Sequence, residues 1–296
     1  MILTVSERTD IVAFYTPWFL ERCKVGYVDV RNPFFKHKVS RIILDKEHVD
    51  GIIFCTKNPI PIMSHLQEIP FPFLFQITLT PYGKDIEPFV PSKGLLVKKI
   101  KELAQMIGKD KILIRYDPIV LTDTYTISYH IRMFTYLIEQ LSSSVSRIII
   151  SFVDDKKNFQ KNCQVSGMRA IQESEVYIVA SAFGKVARQH HLPIQTCAEN
   201  YNLTAYGFCT DSCISGNLVY KLTGKTKGFR KGNKRQHCQC IETVDIGAYN
   251  TCPHLCKYCY ANYEERQVRV NYKRHIISSS LLIGELTPID EIKIRK

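Results

Sequence analysis

The sequence predicts a (β/α)8 barrel of the TIM type, and three observations support this fold class. The chain has 296 residues and is 45% apolar, which is enough for one large core. Short runs rich in β-branched residues recur, each followed by a polar cluster and a helical stretch. Several of these runs are largely apolar, such as IIF, LFQITL, ILI and IIISFV, which favours strands buried on both faces of a parallel sheet. An open doubly wound sheet is the alternative.

Eight runs are predicted strands, and eight is the number that closes such a barrel. They are Ile2–Ser6, Tyr27–Arg31, Gly51–Thr56, Phe73–Thr80, Ile112–Asp117, Arg147–Val153, Pro193–Cys197 and Ile241–Gly247. Helices are predicted between them: Pro17 suits a first helical turn, and Gly108 closes the amphipathic stretch 94–108. Residues 126–142 and 172–189 show the same helical spacing.

The C-terminal part of the chain departs from simple βα units. Residues 198–240 are too long for an ordinary crossover, so we expect a cysteine-rich basic loop or subdomain inserted in a single domain over 1–296. Residues 241–273 are expected to carry the last strand, a cysteine run and a helix. The tail, 274–296, is expected to pack as an extra strand.

Charge and cysteine usage limit the classes of protein. The net charge is +12. Part of this charge lies in an acid-free stretch from Ser212 to Ile241, which suits an anionic partner such as nucleic acid or a nucleotide, or else a solvated loop. The basic residues there are Lys221, Lys225, Lys227, Arg230, Lys231, Lys234 and Arg235. There is no run of 18 apolar residues and no signal-like N-terminus, so we expect a cytoplasmic protein without a membrane span.

Eleven cysteines, eight of them after residue 196, indicate metal binding by reduced thiols. Cys252, Cys256 and Cys259 form a C-x3-C-x2-C run, TCPHLCKYCYAN. A [4Fe–4S] cluster normally takes four cysteine ligands, so three leave one iron open. A zinc site is the alternative, with His254 or an upstream thiol as the fourth ligand.

A second metal site is predicted upstream of this run. Its expected ligands are Cys197, Cys213, Cys238 and Cys240, with Cys209 as a substitute. They would hold a second Fe–S cluster or a zinc ion and fasten the 198–240 loop to the barrel. The remaining thiols, Cys23, Cys55 and Cys163, are expected to be ordinary buried side chains.

Polar residues follow the predicted strands, and the residues past the strands of a barrel converge on one face. Arg115 and Asp117 are two apart within apolar flanks and therefore share a face of their strand. Charges buried there need partners or a ligand, so this pair is predicted to be catalytic; a structural ion pair is the alternative. Lys57 and Glu199 complete the predicted catalytic set, and the sixth strand ends in Asp154 and Asp155.

The cysteine run, with Tyr258 directly before its last thiol, resembles the cluster loop of the radical S-adenosylmethionine (radical SAM) enzymes. The resemblance implies that the open iron chelates S-adenosylmethionine and reductively cleaves it to a 5′-deoxyadenosyl radical. It also implies a reductant such as flavodoxin or ferredoxin.

Segments spread over nearly the whole chain are similar to the family called domain of unknown function 1848 (DUF1848), which is related to radical SAM enzymes through its C-terminal cysteines. They are SERTDIVAFYTPWFLER, GYVDVRNPF, FCTKNPIP, QITLTPYGKDIEP, IRYDPIVLT, ISFVDD and DIGAYNTCPHLCKYCYAN. Glu7 and Cys55 stand where the family has Arg and Trp.

Radical SAM barrels carry their cluster loop after the first strand, whereas this run lies near the end of the chain. The resemblance therefore implies a circularly permuted radical SAM-like barrel. The first strand here then matches the family's second, whose end contacts the methionyl amine, and Asp10 lies at that end. Asp10, Asn32 and Asn58 are accordingly the expected cofactor-binding residues.

The expected function is radical chemistry on a small-molecule or nucleic-acid-related substrate. Two alternatives stay open. One is a nucleic-acid-binding or repair protein with a structural cluster, and the other is a non-radical barrel enzyme that uses zinc.

Overall fold

The structure is a computed structural model that describes residues 1–153, 167–226, 228–232 and 237–295. Several residues named above lie outside the described residues: Asp154, Asp155, Cys163, Lys227, Lys234 and Arg235.

The protein has an α/β fold built on an eight-stranded sheet with the strand order β10-β1-β4-β5-β6-β7-β8-β9. Every neighbouring pair in this sheet whose register is described is parallel. The strands are β1 (Ile2–Val5), β4 (Gly51–Thr56), β5 (Phe73–Thr78), β6 (Ile112–Ile119), β7 (Arg147–Phe152), β8 (Ile194–Thr196), β9 (Phe208–Cys209) and β10 (Val244–Asp245). Seven of them fall on predicted strands, because their apolar runs are buried as a parallel sheet requires.

One predicted strand belongs to a different sheet. The run Tyr27–Arg31, β2, pairs antiparallel with β3 (Lys38–Ile43) in a three-stranded sheet of order β11-β3-β2. The expectation that it is a strand of the parallel sheet is therefore wrong, and the two-residue β9 supplies the eighth strand instead. The tail does form the expected extra strand, because β11 (Glu291–Ile294) pairs with β3.

Each predicted helical stretch contains a described helix, and three further described α-helices, all short, lie elsewhere. The described α-helices are α1 (Ile11–Phe14), α2 (Thr16–Val25), α3 (Ile60–Met63), α4 (Lys93–Ile107), α5 (Ile127–Leu141), α6 (Glu173–Gln189), α7 (Gly216–Thr223) and α8 (Glu265–Lys273). Gly108 ends α4 as predicted, at φ +85°, a backbone conformation that favours glycine. In the described parts of the chain, no helix is both long and apolar enough to cross a membrane.

The chain divides into two compact units. The first comprises residues 1–74, 243–255 and 259–296, and the second comprises residues 75–242 and 256–258. Cys252 and Cys259 thus belong to the first unit and Cys256 to the second. The predicted division of the chain at residues 198, 241 and 274 stays a prediction.

A buried histidine on α5 makes the fold sensitive to acid. His130 is fully buried; its Nε2 donates to the Val120 carbonyl oxygen at 2.9 Å, and its Nδ1 accepts from the Tyr116 hydroxyl at 2.9 Å. The bond that Nδ1 accepts from Tyr116 needs the neutral ring, because both ring nitrogens are donors in the protonated form. Burial lowers the pKa of His130 from 6.5 to about 4.

The unfolded chain protonates His130 more readily than the folded protein does. We therefore expect the free energy of unfolding that His130 contributes above pH 6.5 to be lost as the pH falls through about 4. The full loss of unfolding free energy from this group is about 3 kcal/mol. Urea unfolding at about pH 7.5 and about pH 4.5 measures it. The His130→Phe variant should lose less stability between these two conditions, and an equal loss in both proteins would contradict this assignment.

Candidate functional site

Asp10, which follows β1 and precedes α1, is a carboxylate with several hydrogen-bond donors. It is buried, and its Oδ1 accepts from the backbone N–H of Ala13 at 2.9 Å and from the Thr56 hydroxyl at 2.7 Å. Its Oδ2 accepts from the backbone N–H of Lys57 at 2.7 Å and from Nε2 of His254 at 3.0 Å. Asp10 therefore ties α1, the end of β4 and the cysteine run together within the first unit.

His254, between Cys252 and Cys256, is a buried anchor of the run. A carboxylate only accepts hydrogen bonds, so the ring nitrogen facing Asp10 carries the proton. The ring packs edge-on against Phe14, with centroids 4.6 Å apart. This hydrogen bond uses only Nε2, and a metal-ligating histidine commonly donates its other ring N–H to a carboxylate, so the alternative in which His254 supplies a fourth zinc ligand stays a prediction.

Other contacts within the first unit fix the two ends of the run. The Tyr15 hydroxyl donates to the Thr251 carbonyl oxygen at 2.5 Å. The side-chain amide of Asn262 donates to the Cys252 carbonyl oxygen at 2.8 Å. The loop that carries the thiols is thus held by buried groups as well as by its own backbone.

Tyr258 is anchored in the second unit by another buried carboxylate. Its hydroxyl donates to Glu87 Oε1, which also accepts from the Thr80 hydroxyl at 2.6 Å, and Lys93 pairs with the other oxygen of Glu87. The Tyr258 ring lies 5.6 Å from that of Tyr82. Sequence reasoning missed Glu87; its one signal was a charged residue within the family-like segment QITLTPYGKDIEP.

The thiols of the run differ in their surroundings. Cys256 is buried, whereas Cys252 and Cys259 are half-buried. Burial raises the pKa of Cys259, while the backbone N–H groups of Ala261 and Asn262 and the charge of Lys57 oppose that rise. Ala261 N lies 3.4 Å from the Cys259 sulfur. Within the described residues, no three or more His, Cys, Asp or Glu side chains form a ready set of metal ligands.

Two of the predicted cofactor-binding residues, Asn58 and Asn32, stabilise backbone turns with their side chains. The Asn58 side chain accepts from Ile60 N at 3.2 Å, as expected of an Asn-Pro turn. Asn32 follows β2, and its side chain accepts from the backbone N–H groups of Phe34 and Phe35. Asn32 therefore does not lie at the end of a strand of the parallel sheet, which corrects its predicted placement.

A third enclosed carboxylate, Asp245, ends β10. Asp245 accepts from the Ser6 hydroxyl at 3.0 Å and from the backbone N–H groups of Glu7 and Gly247, and Arg8 lies 3.4 Å away. Burial raises its pKa. The space beside it is tight, because a Cβ at Gly247 would lie 1.9 Å from the Ser6 hydroxyl oxygen.

Arg115 and Asp117, which are predicted to be catalytic, pair with each other within the second unit. Arg115 Nε lies 3.1 Å from Asp117 Oδ2, and Arg115 Nη1 donates to Gln76 Oε1 at 3.1 Å. Ser151 donates to the other oxygen of Asp117. The predicted fourth member, Glu199, accepts from Phe152 N at 2.9 Å.

Three of the four thiols predicted for a second metal site are together in the second unit. The Cys213 thiol contacts both the Cys197 thiol and the Cys240 thiol, and all three residues are buried. We call these three residues the thiol row. Arg115 contacts the thiol row through Cys197. Cys238 is half-buried with no described contact to the row, and Cys209 is exposed.

Comparison with known proteins identifies the family. The sequence profile of the family described as Domain of unknown function (DUF1848) matches residues 2–261, so the chain belongs to this family. The match runs from β1 to just beyond Cys259 and includes Asp10, Glu87 and the whole cysteine run. No curated protein and no solved structure matches the chain.

Proposed function

We propose that this protein is an iron–sulfur enzyme related to the radical SAM proteins and that its strands form a circularly permuted barrel of that kind. The observation that carries the proposal is the anchoring of the cysteine run. The residues between its thiols, His254 and Tyr258, each bond a buried carboxylate. A loop used only as a connection has no need of two buried polar anchors, which cost free energy to desolvate.

The chemistry of the donors fits a [4Fe–4S] cluster. Cys252, Cys256 and Cys259 supply three thiols, and a nearby backbone N–H group points to the sulfur of Cys259, as is common for cluster ligands. Asn262 Oδ1 and Thr9 Oγ1 are buried and lack a hydrogen-bond partner within the described residues. Buried polar atoms without a partner are rare unless a ligand or a water molecule supplies the missing hydrogen bond.

Other residues of the first unit would hold the loop and bind S-adenosylmethionine. A [4Fe–4S] cluster held by these three thiols would supply the electron for the cleavage of S-adenosylmethionine. Asp10 fixes the turn at Lys57, whose charge acts on Cys259 and suits an anionic group such as a carboxylate. Thr9 and Asn262 offer hydrogen-bonding oxygens. The substrate we propose is a small molecule or a nucleic-acid-related compound, and the reductant is a flavodoxin or a ferredoxin.

Anaerobic reconstitution tests this function. The wild-type protein should hold about four irons and four sulfides per chain at this site. After reduction with dithionite it should convert S-adenosylmethionine into 5′-deoxyadenosine. Cys256→Ala should lose both properties because two thiolates remain. Cys23→Ala is the matched control, since Cys23 lies on α2 outside the run, and it should retain both.

Two results would separate the parts of the proposal. Stoichiometric zinc with no bound iron in anaerobically prepared protein would contradict the cluster. A reduced, cluster-loaded protein that neither binds nor cleaves S-adenosylmethionine would contradict the radical reaction and leave the cluster a structural or electron-transfer role.

A further inference from the structure

The thiol row joins segments that are distant in sequence. Cys197 directly follows β8, whereas Cys213 and Cys240 flank the region that contains α7. Buried cysteines often act as small apolar side chains. Here three buried cysteines from separate segments are in direct contact. Packing alone is a weaker explanation for such a group than for a single buried cysteine.

The backbone around the thiol row is held in place. Ile241 N donates to the Ile214 carbonyl oxygen at 3.0 Å, and Ile214 N lies 3.4 Å from the Cys240 sulfur. The Gln76 side chain donates to the Cys213 carbonyl oxygen at 2.9 Å. An N–H group directed at a cysteine sulfur favours the thiolate, the form that binds metals.

A positive charge adjoins the same sulfurs. The Arg115 guanidinium contacts Cys197 and interacts with the charge of Cys213. A metal ion bound by three or four thiolates carries a net negative charge, which a buried site must offset. The Arg115 guanidinium, which also pairs with Asp117, contributes to this compensation without being a ligand.

The contacts between the sulfurs favour one ion over a cluster. Sulfurs around a single tetrahedral Zn²⁺ lie about 3.8 Å apart, given Zn–S bonds of about 2.3 Å. The side-chain hydrogen bonds that join Cys213 to Cys197 and to Cys240 hold each pair of thiols close to that separation. A cuboidal cluster would hold its ligand sulfurs considerably farther apart.

We propose that Cys197, Cys213 and Cys240 bind one thiophilic metal ion of the Zn²⁺ type, with Cys238 as the fourth ligand. The described side chains are not yet a ready set of metal ligands, so the set must close on binding. Cys213 contacts both other thiols of the row, and Cys238 would join them from two residues before Cys240. The bound ion fastens the segment that carries α7 to the end of β8.

The experiment uses the full-length chain with Cys252, Cys256 and Cys259 all replaced by Ala, so that failure of the proposed cluster cannot affect its outcome. Co²⁺, a spectroscopic substitute for Zn²⁺, is titrated into this protein under anaerobic conditions. About one equivalent should bind with thiolate charge-transfer and tetrahedral d–d absorption. Adding Cys213→Ser should weaken binding at least about 100-fold, whereas adding Cys209→Ser should leave it unchanged.

A second measurement needs no substitution in the thiol row. Alkylation of the same triple-Ala protein with iodoacetamide, read by mass spectrometry, should slow at least about tenfold at the thiol row and at Cys238 when Zn²⁺ is present. The exposed Cys209 should react equally with and without the metal. Absence of stoichiometric Co²⁺ binding, or metal-independent alkylation of the thiol row, would overturn the proposal.

Discussion

Replacing Asp10 by Ala should lower the free energy of unfolding by about 4 kcal/mol, because four donors in a buried site lose their shared acceptor. Asp10→Asn should cost less. Its side-chain oxygen can still accept from Ala13 N and from the Thr56 hydroxyl, but its NH2 group cannot accept from Lys57 N. Urea unfolding followed by circular dichroism measures both losses.

The control is Asp45→Ala. Asp45 also accepts from two backbone N–H groups, those of Glu47 and His48, but in an exposed turn. Its loss should therefore be clearly smaller. Hydrogen exchange at residues 251–255 should also rise in Asp10→Ala, because His254 is released. Equal stability in the two Ala variants, or unchanged exchange in that segment, would show that Asp10 does not anchor the run.

The parallel sheet could be predicted from the sequence because strands buried on both faces read as apolar runs, as in Ile112–Ile119 and Arg147–Phe152. The hairpin of β2 and β3 was misassigned, because β2 alternates polar and apolar residues but its antiparallel partner, KVSRII, was not recognised as a strand. Strand β9 has two residues and gives no periodic signal.

The candidate site could be predicted only in part. The spacing of Cys252, Cys256 and Cys259 is a local signal in the sequence. The partners of the intervening residues are not, because His254 bonds a carboxylate 244 residues away and Tyr258 one 171 residues away. Only the fold brings such pairs together. Asn58 illustrates the opposite case, since the turn expected of an Asn-Pro pair is the contact observed.

Replacing Arg115 by Ala should lower the free energy of unfolding by about 3 to 5 kcal/mol, since it leaves the Asp117 carboxylate without its cationic partner in a largely enclosed position. Replacing both residues with apolar ones of similar size, Arg115→Met with Asp117→Leu, should recover a substantial part of that loss. Chemical denaturation of the three proteins measures the effect.

The control for this pair is Arg269→Ala. Arg269 pairs with Glu265 on the exposed face of α8, where an ion pair contributes little, so its stability should hardly change. If Arg115→Ala folds with wild-type stability, the pair is not needed for the fold. The catalytic alternative would then gain support, and that variant should be assayed for loss of substrate binding.

The two carboxylate anchors also limit how the cysteine run can vary in length. His254 lies two residues from Cys252 and from Cys256, and Tyr258 directly precedes Cys259. Inserting or deleting one residue would move a thiol away from the anchored ring of His254 or Tyr258. This would hold even if the three sulfurs could still reach one cluster. The spacing of the run therefore reflects the positions of Asp10 and Glu87 as well as the demands of iron. A family member with a different spacing would need compensating changes at strand ends far away in its sequence.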